Sequence, residues 1–349
     1  MLIADEGEGE MTIYCGVDWS EHYHEVALVD DAGKVLATRR ISDDAAGLTV
    51  LMTLLGEHTG GGEFVAVDVA IETGRGLLVA GLRVAGHRVF EINPKAVSRY
   101  RDRHAVSGAK SDPGDALVLA HLLRTDGHRH RPMPADSEQV AVVGVLARAH
   151  HDAITAALRE AGRLRSLLRE FYPAALAAFP TLHTVTATTV LAAAPTPTAA
   201  AQLSEDELRK LLRSARYNTP RGQPAKLRAV FAASALRQPP AIEAAMGQAV
   251  IAIVRTLSAT LAAIRELEKA LDEHFDAHPD APILRSMPGL GLILGARVLG
   301  EFGDDPTRFP DAASRRAYAG TAPITRASGK LKLVLLRRAA NHRLAQTCR

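Results

Sequence analysis

Residues 12–42 have the sequence TIYCGVDWSEHYHEVALVDDAGKVLATRRIS, in which short β-branched and apolar runs alternate with turn residues. The runs TIYCGVDW and HEVALVDD come first, and a DAG turn at residues 31–33 precedes the third run, KVLATRRI. Short runs of this composition that are closed by turn residues are typical of consecutive antiparallel strands. The stretch therefore predicts a three-stranded meander that opens the fold.

Helices and strands alternate after this meander. The predicted order is a helix over 43–58, a buried strand over 63–72, a helix over 76–85, a strand over 87–92, and helices after Asn93-Pro94 and at Ser111-Asp112-Pro113. A meander followed by alternating helices and strands predicts a mixed sheet covered by helices, which is an α/β architecture. This order is ribonuclease-H-like.

A second, all-helical region is predicted after the sheet. Apolar residues recur at heptad spacing between Pro134 and Pro173, and again from Met246 to Leu271. These two long helices are expected to form a coiled-coil hairpin or to pair between subunits. Between them, residues 178–240 contain Ala/Pro/Thr-rich sequence and a short basic helix with Ser204 as its N-cap, which together indicate an insertion subdomain.

Composition and charge exclude several classes of protein. The chain has 349 residues, of which 47% are hydrophobic and 23% charged, so we expect two or three folded domains. Cys15 and Cys348 are the only cysteines, and no long apolar run is present, which disfavours a disulfide framework, export or membrane insertion and favours the cytoplasm. Residues 308–349 contain ten Lys or Arg against one acid, Asp311, which suggests contact with phosphates.

Four acids are candidates for metal-dependent catalysis. Asp18 ends the first strand, Glu72 follows the fourth, and Asp112 and Asp115 begin a helix. In a ribonuclease-H-like sheet these positions converge, and carboxylates that are crowded together repel each other unless cations neutralise them. Two Mg²⁺ ions held by such ligands can assist both the attacking and the leaving oxygen of a phosphodiester.

Simpler interpretations of these acids remain open at this point. Asp18 could be a turn residue at a strand end, and Asp112 and Asp115 could serve only as helix-capping and helix-dipole residues. Asp68 competes with Glu72, because residues four apart on a strand point to the same face. We prefer Glu72 because ligands collect at strand ends in open sheets.

The C-terminal region carries two further motifs. Residues 287–304, MPGLGLILGARVLGEFGD, are similar to a helix-hairpin-helix in which Gly289 and Gly291 let backbone N–H groups approach a phosphate. A plain glycine turn is the alternative. Ser328 precedes a glycine in a basic setting formed by Arg326, Lys330 and Lys332, and could either attack a phosphate or belong to a turn.

Five stretches together resemble a known family. They are YCGVDWSEHYHEVALVD at 14–30, AIETGRGLL at 70–78, INPKAVSRYRDRHAVSGAKSDPGDALVLA at 92–120, PGLGLILGARVLGEFGD at 288–304 and YAGTAPITRASGK at 318–330. They are similar to the DEDD transposases of insertion sequences, which join a RuvC-like N-terminal domain to a C-terminal Transposase 20 domain. The match in GAKSDPGDA and GTAPITRASGK is specific, whereas the middle of the chain is matched mainly in being helical.

The resemblance implies roles for these residues. The four acids of the family name fall on Asp18, Glu72, Asp112 and Asp115, and the serine nucleophile falls on Ser328. It further implies Mg²⁺, DNA ends and target DNA, a structured RNA encoded by the element, and homodimers or homotetramers.

The same resemblance sets the expected domain division. We expect an acidic extension at 1–11 and a RuvC-like catalytic domain at 12–132. A helical coiled-coil region at 133–279, which contains the insertion at 178–240, and a mainly helical Transposase 20-like domain at 280–349 are expected to follow. Family members usually continue with further helices, so we expect the last domain to be shortened. The alternatives are a non-catalytic nucleic-acid-binding remnant of such a transposase and, on the first strands alone, a kinase of the actin-like fold.

Overall fold

The computed structural model describes residues 12–60, 64–104, 111–217, 220, 222–329 and 331–347. The chain divides into two compact units, Met1–Pro134 and Ala135–Arg349. The predicted acidic extension, residues 1–11, lies outside the described residues. Each unit is described by itself below.

The first unit is built on a five-stranded mixed sheet. Its elements are β1 (Tyr14–Trp19), β2 (Tyr23–Val29), β3 (Val35–Ser42), α1 (Ala45–His58), β4 (Asp68–Ile71), α2 (Leu77–Val84), β5 (Arg88–Glu91), α3 (Pro94–His104) and α4 (Asp112–Asp126). The strand order is β3-β2-β1-β4-β5, with β1 to β3 antiparallel and with β4 and β5 parallel to β1. The predicted meander and mixed sheet are thus confirmed, although β4 is shorter than the predicted run at 63–72.

Helices cover both faces of this sheet. Side chains such as Val17 and Val69 pack on one face with residues of α1 and α2, whereas Ala70 packs on the other face with α3 and α4. On that second face α4 lies directly against β1, because a Cβ atom at Gly16 would be 2.0 Å from the Ala116 carbonyl oxygen. Only glycine permits this approach, which fixes the position of α4 on the strand.

The second unit is mainly helical. Its elements are α5 (Glu138–Phe171), α6 (Pro173–Ala178), α7 (Val185–Ala193), α8 (Pro197–Gln202), α9 (Glu205–Ser214), α10 (Gln223–Ala232), α11 (Pro240–Asp276), α12 (Ala281–Ser286), α13 (Leu292–Phe302), α14 (Ala312–Tyr318), β6 (Ile324–Ser328), β7 (Leu331–Leu335) and α15 (His342–Thr347).

The long helices α5 and α11 pack against each other in antiparallel directions. Val143, near the start of α5, shares a core cluster with Phe275 at the end of α11. Leu164, near the end of α5, instead clusters with Val250 in the first half of α11. The hairpin alternative of the sequence prediction is therefore the arrangement found within the chain.

Two smaller sets of elements flank this helix pair. Helices α6 to α10 pack around the end of α5, and Ser204 caps α9 in a reciprocal capping box with Glu207, as the sequence predicts. At the other end, α13 packs against both α5 and α11. The hairpin β6–β7 was not predicted. Its strands are exposed on both sides of a tight turn at Gly329, so they lack the alternation of buried and exposed residues by which strands are predicted.

Among the described residues, one helix, α11, is long and apolar enough to cross a membrane. Length and composition alone are weak evidence, since a packing helix of a folded protein passes the same test. The stripe of α11 that contains Val250, Val254 and Leu257 is buried in the protein core.

Candidate active site

Asp18 and Glu72 lie side by side at the ends of two parallel strands. Val17 of β1 pairs with Ile71 of β4, so the next residues, Asp18 and Glu72, are at the same level. Paired residues of parallel strands share a face. Asp18 comes two positions after Gly16, and Glu72 comes two positions after Ala70, so each acid is on the same face as that earlier residue. Asp18 and Glu72 therefore lie on the sheet face that α3 and α4 cover, and both are half-buried.

Helix α4 brings Asp112 and Asp115 to the same end of the sheet. Ser111 caps the helix by accepting a hydrogen bond from the Gly114 N–H group, with proline in the first turn. The helix runs antiparallel to β1, because Arg124 in its last turn donates to the Asp31 carbonyl group beyond β2. Its first turn thus lies near the end of β1, with Asp115 buried and Asp112 exposed.

Asp68 lies at the opposite end of β4. It pairs with Tyr14, the first residue of β1, and its carboxylate accepts a 2.5 Å hydrogen bond from Arg88. Four residues of a strand separate Asp68 from Glu72, which is about 13 Å. The geometry therefore favours Glu72 over Asp68 as the partner of Asp18.

Sequence reasoning missed a fifth carboxylate at this edge. Glu25 of β2 stands directly opposite Asp18, on the same face, and is buried. Its carboxylate accepts a 2.5 Å hydrogen bond from Arg40, which lies across from it on β3. The signal was available in the register of the first hairpin, since directly opposed antiparallel residues share a face. We call Asp18, Glu25, Glu72, Asp112 and Asp115 the carboxylate edge.

Two arginines balance part of this negative charge. The hydrogen bond with Glu25 raises the pKa of Arg40, and smaller contributions come from Glu25, Tyr23 and Asp112 through their charges. Arg101 of α3 donates to the Asp115 carboxylate.

The donor set of the carboxylate edge fits a divalent cation by its chemistry. Carboxylate oxygens are the ligands that Mg²⁺ prefers, and these acids share one face at one sheet end. In the described parts of the chain, however, no three His, Cys, Asp or Glu side chains are gathered closely enough to hold a metal ion. The present contacts are ion pairs, such as the one between Asp115 and Arg101.

Ser328 belongs to the second unit, at the tip of the β6–β7 hairpin. It is the last residue of β6, is exposed, and pairs with Leu331 across a turn that contains Gly329 at φ +56°. Arg326 is two residues earlier and shares its face, whereas Lys332 pairs with Ala327 and lies on the other face. Lys330 lies outside the described residues.

The glycine motif forms the turn between α12 and α13. Gly289 adopts φ +81°, and the Leu290 N–H group donates to the Met287 carbonyl oxygen. Gly291 is the N-cap of α13 and supplies no side-chain cap, and a Cβ atom at either glycine would meet nothing within 4 Å. The space around both glycines is therefore uncrowded, and phosphate binding at the start of α13 stays a prediction.

Family comparison identifies the class of protein. Residues 15–173 match the IS110-type DEDD transposase family, described as "Transposase", and residues 281–347 match the family described as "Transposase IS116/IS110/IS902 family". The chain belongs to the IS110 family of insertion-sequence transposases.

Individual relatives agree with this assignment. The chain is 51% identical to the "Mini-circle putative transposase for IS117" of Streptomyces coelicolor over 97% of its own length and 82% of the relative's. It is 30% identical to the "Insertion element IS110 uncharacterized 43.6 kDa protein" of the same organism, over 92% and 78% of the two chains. It is 28% identical to the "Insertion element IS900 uncharacterized 42 kDa protein" of Mycobacterium paratuberculosis, over 96% and 84%.

Proposed function

We propose that this transposase cleaves and rejoins DNA through a composite site that joins the carboxylate edge to Ser328. The observation that carries the proposal is the convergence of Asp18 and Glu72 with the first turn of α4 at one end of the sheet. The strand order β3-β2-β1-β4-β5, which is consistent with a ribonuclease-H-like fold, and the family assignment support it.

In this proposal Asp18, Glu72, Asp112 and Asp115 hold divalent metal, with two Mg²⁺ ions as the expected complement. When bound, such ions stabilise negative charge on the oxygens of a phosphodiester. Asp115 would exchange its bond with Arg101 for the metal, and Arg101 would then be free to bind a DNA phosphate.

Ser328 is the proposed nucleophile. Its Oγ attacks the phosphorus atom, the new Ser328 O–P bond forms as the bond from phosphorus to the sugar oxygen breaks, and the hydroxyl proton leaves to a base. The departing sugar oxygen takes up a proton. Because one phosphodiester replaces another, the reverse attack by a DNA hydroxyl can rejoin strands without an external energy source.

The remaining predicted residues would hold nucleic acid. Arg326, Lys330 and Lys332 surround the proposed nucleophile in the sequence, and Gly289 and Gly291 leave the start of α13 open. We further propose a structured RNA as a partner, dimers or tetramers as the working assembly, and the cytoplasm as the compartment where the DNA is reached.

The test is an assay for a covalent protein–DNA adduct with the full chain, element-end DNA, the flanking RNA and Mg²⁺, resolved on denaturing gels. Ser328→Ala should abolish the adduct, while Thr325→Ala, on the same exposed strand, should keep it. Asp18→Asn should reduce cleavage by more than about 100-fold, while Asp68→Asn should retain it.

Two results would contradict the proposal. An undiminished adduct with Ser328→Ala would place the nucleophile elsewhere. DNA binding without any cleavage by the unaltered chain would instead indicate a non-catalytic remnant.

A further inference from the structure

A second cluster of charges lies in the second unit, where α5, α13 and α15 meet. A cleft of about 230 Å³, open mouth included, is lined by Ala147, Arg148, His151, Arg297, Glu301 and Arg343. We call these six residues the arginine pocket. Of these six residues, only Arg343 belongs to the basic segment 308–349 that the sequence pattern associates with phosphate contact.

Two of its three arginines have carboxylate partners. Arg148 Nε donates to the buried Glu301 carboxylate at 2.8 Å, and Asn341 Nδ2 donates to the same carboxylate at 2.6 Å. Arg343 Nη1 donates to Asp152 at 3.2 Å, near the surface. These two ion pairs stabilise the walls of the pocket.

Arg297 is different. It is half-buried on α13, its Nε is enclosed with no hydrogen-bond partner, and its Nη2 lies 3.3 Å from His150 Nδ1, which is a neutral contact. No carboxylate among the described residues pairs with it, and burial lowers its pKa. A half-buried guanidinium without an anion has lost part of its hydration and gained little in return.

The arginines, and not the histidine, give the pocket its positive charge. Burial lowers the pKa of His151, and the charges of Arg297 and Arg343 lower it further. At neutral pH the three arginines of the pocket therefore exceed the carboxylates of Glu301 and Asp152 by one charge. An anion that accepts hydrogen bonds from a planar guanidinium would balance this charge, and the oxygens of a phosphate group have the geometry to do so.

We propose that the arginine pocket binds a phosphodiester of the nucleic-acid backbone, with Arg297 as its principal donor. The enclosed part of the pocket is only about 10 Å³, roughly the space of one water molecule, so the pocket does not enclose a nucleotide or another small molecule. A phosphate of a strand that passes over the surface would instead contact Arg297 from the open mouth of the pocket. The inference deepens the proposed function, because it assumes that the protein acts on nucleic acid.

The experiment measures binding of the full chain to a DNA duplex and to a single-stranded RNA, each of random sequence, by fluorescence anisotropy over a range of NaCl concentrations. Arg297→Gln should weaken binding roughly tenfold. The slope of the logarithm of the binding constant against the logarithm of the salt concentration is negative, and Arg297→Gln should make it shallower by about 0.9 on duplex DNA or about 0.7 on RNA. Arg255→Gln, an exposed arginine of α11 with no place in the pocket, is the matched control.

A thermal melt without nucleic acid separates binding from folding. Since Arg297 has no ionic partner, Arg297→Gln should leave the melting temperature unchanged or raise it, whereas loss of a structural arginine would lower it. Arg297→Lys should keep the salt slope but bind more weakly, because a point charge replaces a fork of donors.

Each outcome is decisive. A reduced slope on DNA alone, on RNA alone or on both supports the pocket and identifies the nucleic acid it contacts. If Arg297→Gln still binds nucleic acid with an unchanged slope, the inference about the pocket is overturned, but the proposed function is not. Failure of the unaltered chain to bind either probe would instead overturn the proposed function.

Discussion

The carboxylate edge of the first unit and the arginine pocket of the second are built from the same kinds of charged pair but carry opposite surpluses. At the edge, five carboxylates face two arginines, Arg40 and Arg101. In the pocket, three arginines face Glu301 and Asp152. The comparison teaches that ion pairs alone do not distinguish the two sites. The sign of the surplus charge does, and it is the basis on which we propose cations as ligands of the edge and phosphates as ligands of the pocket.

The largest expected effect comes from the backbone contact that creates the carboxylate edge. In Gly16→Val, the new Cβ would lie 2.0 Å from the Ala116 carbonyl oxygen, so α4 would have to move off β1 or the first unit would fail to fold. We expect a loss of more than about 3 kcal/mol of unfolding free energy, measured by urea denaturation. Gly56→Ala, on α1, meets nothing within 4 Å and should stabilise by about 0.5–1 kcal/mol. Equal stability of the two variants would contradict the close approach.

The next effect tests which arginine stabilises the pocket. Arg148→Met leaves the buried Glu301 carboxylate without its guanidinium. Because more than a third of the Arg148 side chain is exposed, solvent reduces the loss to about 2 kcal/mol. The double variant Arg148→Met/Glu301→Leu should recover most of it, as measured by denaturant unfolding. If Arg297→Gln destabilised the protein as much as Arg148→Met, the contrast between the two arginines would be wrong.

A smaller effect tests the cation surplus at the edge. A ligand at ten times its dissociation constant stabilises the folded state by about 1.4 kcal/mol. Mg²⁺ should therefore raise the melting temperature of the unaltered chain by a few degrees relative to EDTA. Asp18→Asn should lose this shift, and Asp68→Asn, at the far end of β4, should keep it. The same shift in both variants would show that Mg²⁺ binds elsewhere.

The smallest effect is a pH dependence away from both sites. Hydrogen bonds from the Ser42 hydroxyl and the Gly47 N–H group lower the pKa of Asp44, the N-cap of α1, below its ordinary value of 3.8. A depressed carboxyl pKa contributes stability above pH 3.8, and that stability is lost as the pH falls through the folded-state pKa. Asp44→Asn keeps the cap without the charge. The unaltered chain should melt at a higher temperature than this variant at pH 5, and the difference should narrow as the pH falls to 3. A gap that is independent of pH would contradict the role of the charge.

The sequence allowed the sheet to be predicted because its strands are short, apolar and separated by turns. The helix pair was predictable because the heptad spacing extends over many turns. Glu25 was missed because its position opposite Asp18 follows only when the register of β1 against β2 is worked out, and the strand pattern of each segment alone does not show it. The arginine pocket was missed for a similar reason: Arg148, Arg297 and Arg343 are far apart in the chain and meet only through helix packing.

The ion pairs of the carboxylate edge were also beyond sequence reasoning. Arg101 and Asp115 belong to helices joined by residues 105–110, which lie outside the described residues, and only tertiary packing brings their side chains together. The carboxylates themselves were predictable, because strand ends and helix starts can be located from turn and capping residues such as Ser111.

The antiparallel pair of α5 and α11 gives the second unit a fixed length. The 34 residues of α5 extend for about 51 Å, with the arginine pocket towards one end and helices α6 to α10 around the other. Inserting one residue in either helix would add only about 1.5 Å but would rotate everything beyond it by about 100°. The change in length that best keeps both facing stripes in contact is therefore a whole heptad added to both helices together, which sets the distance between the two ends of the pair.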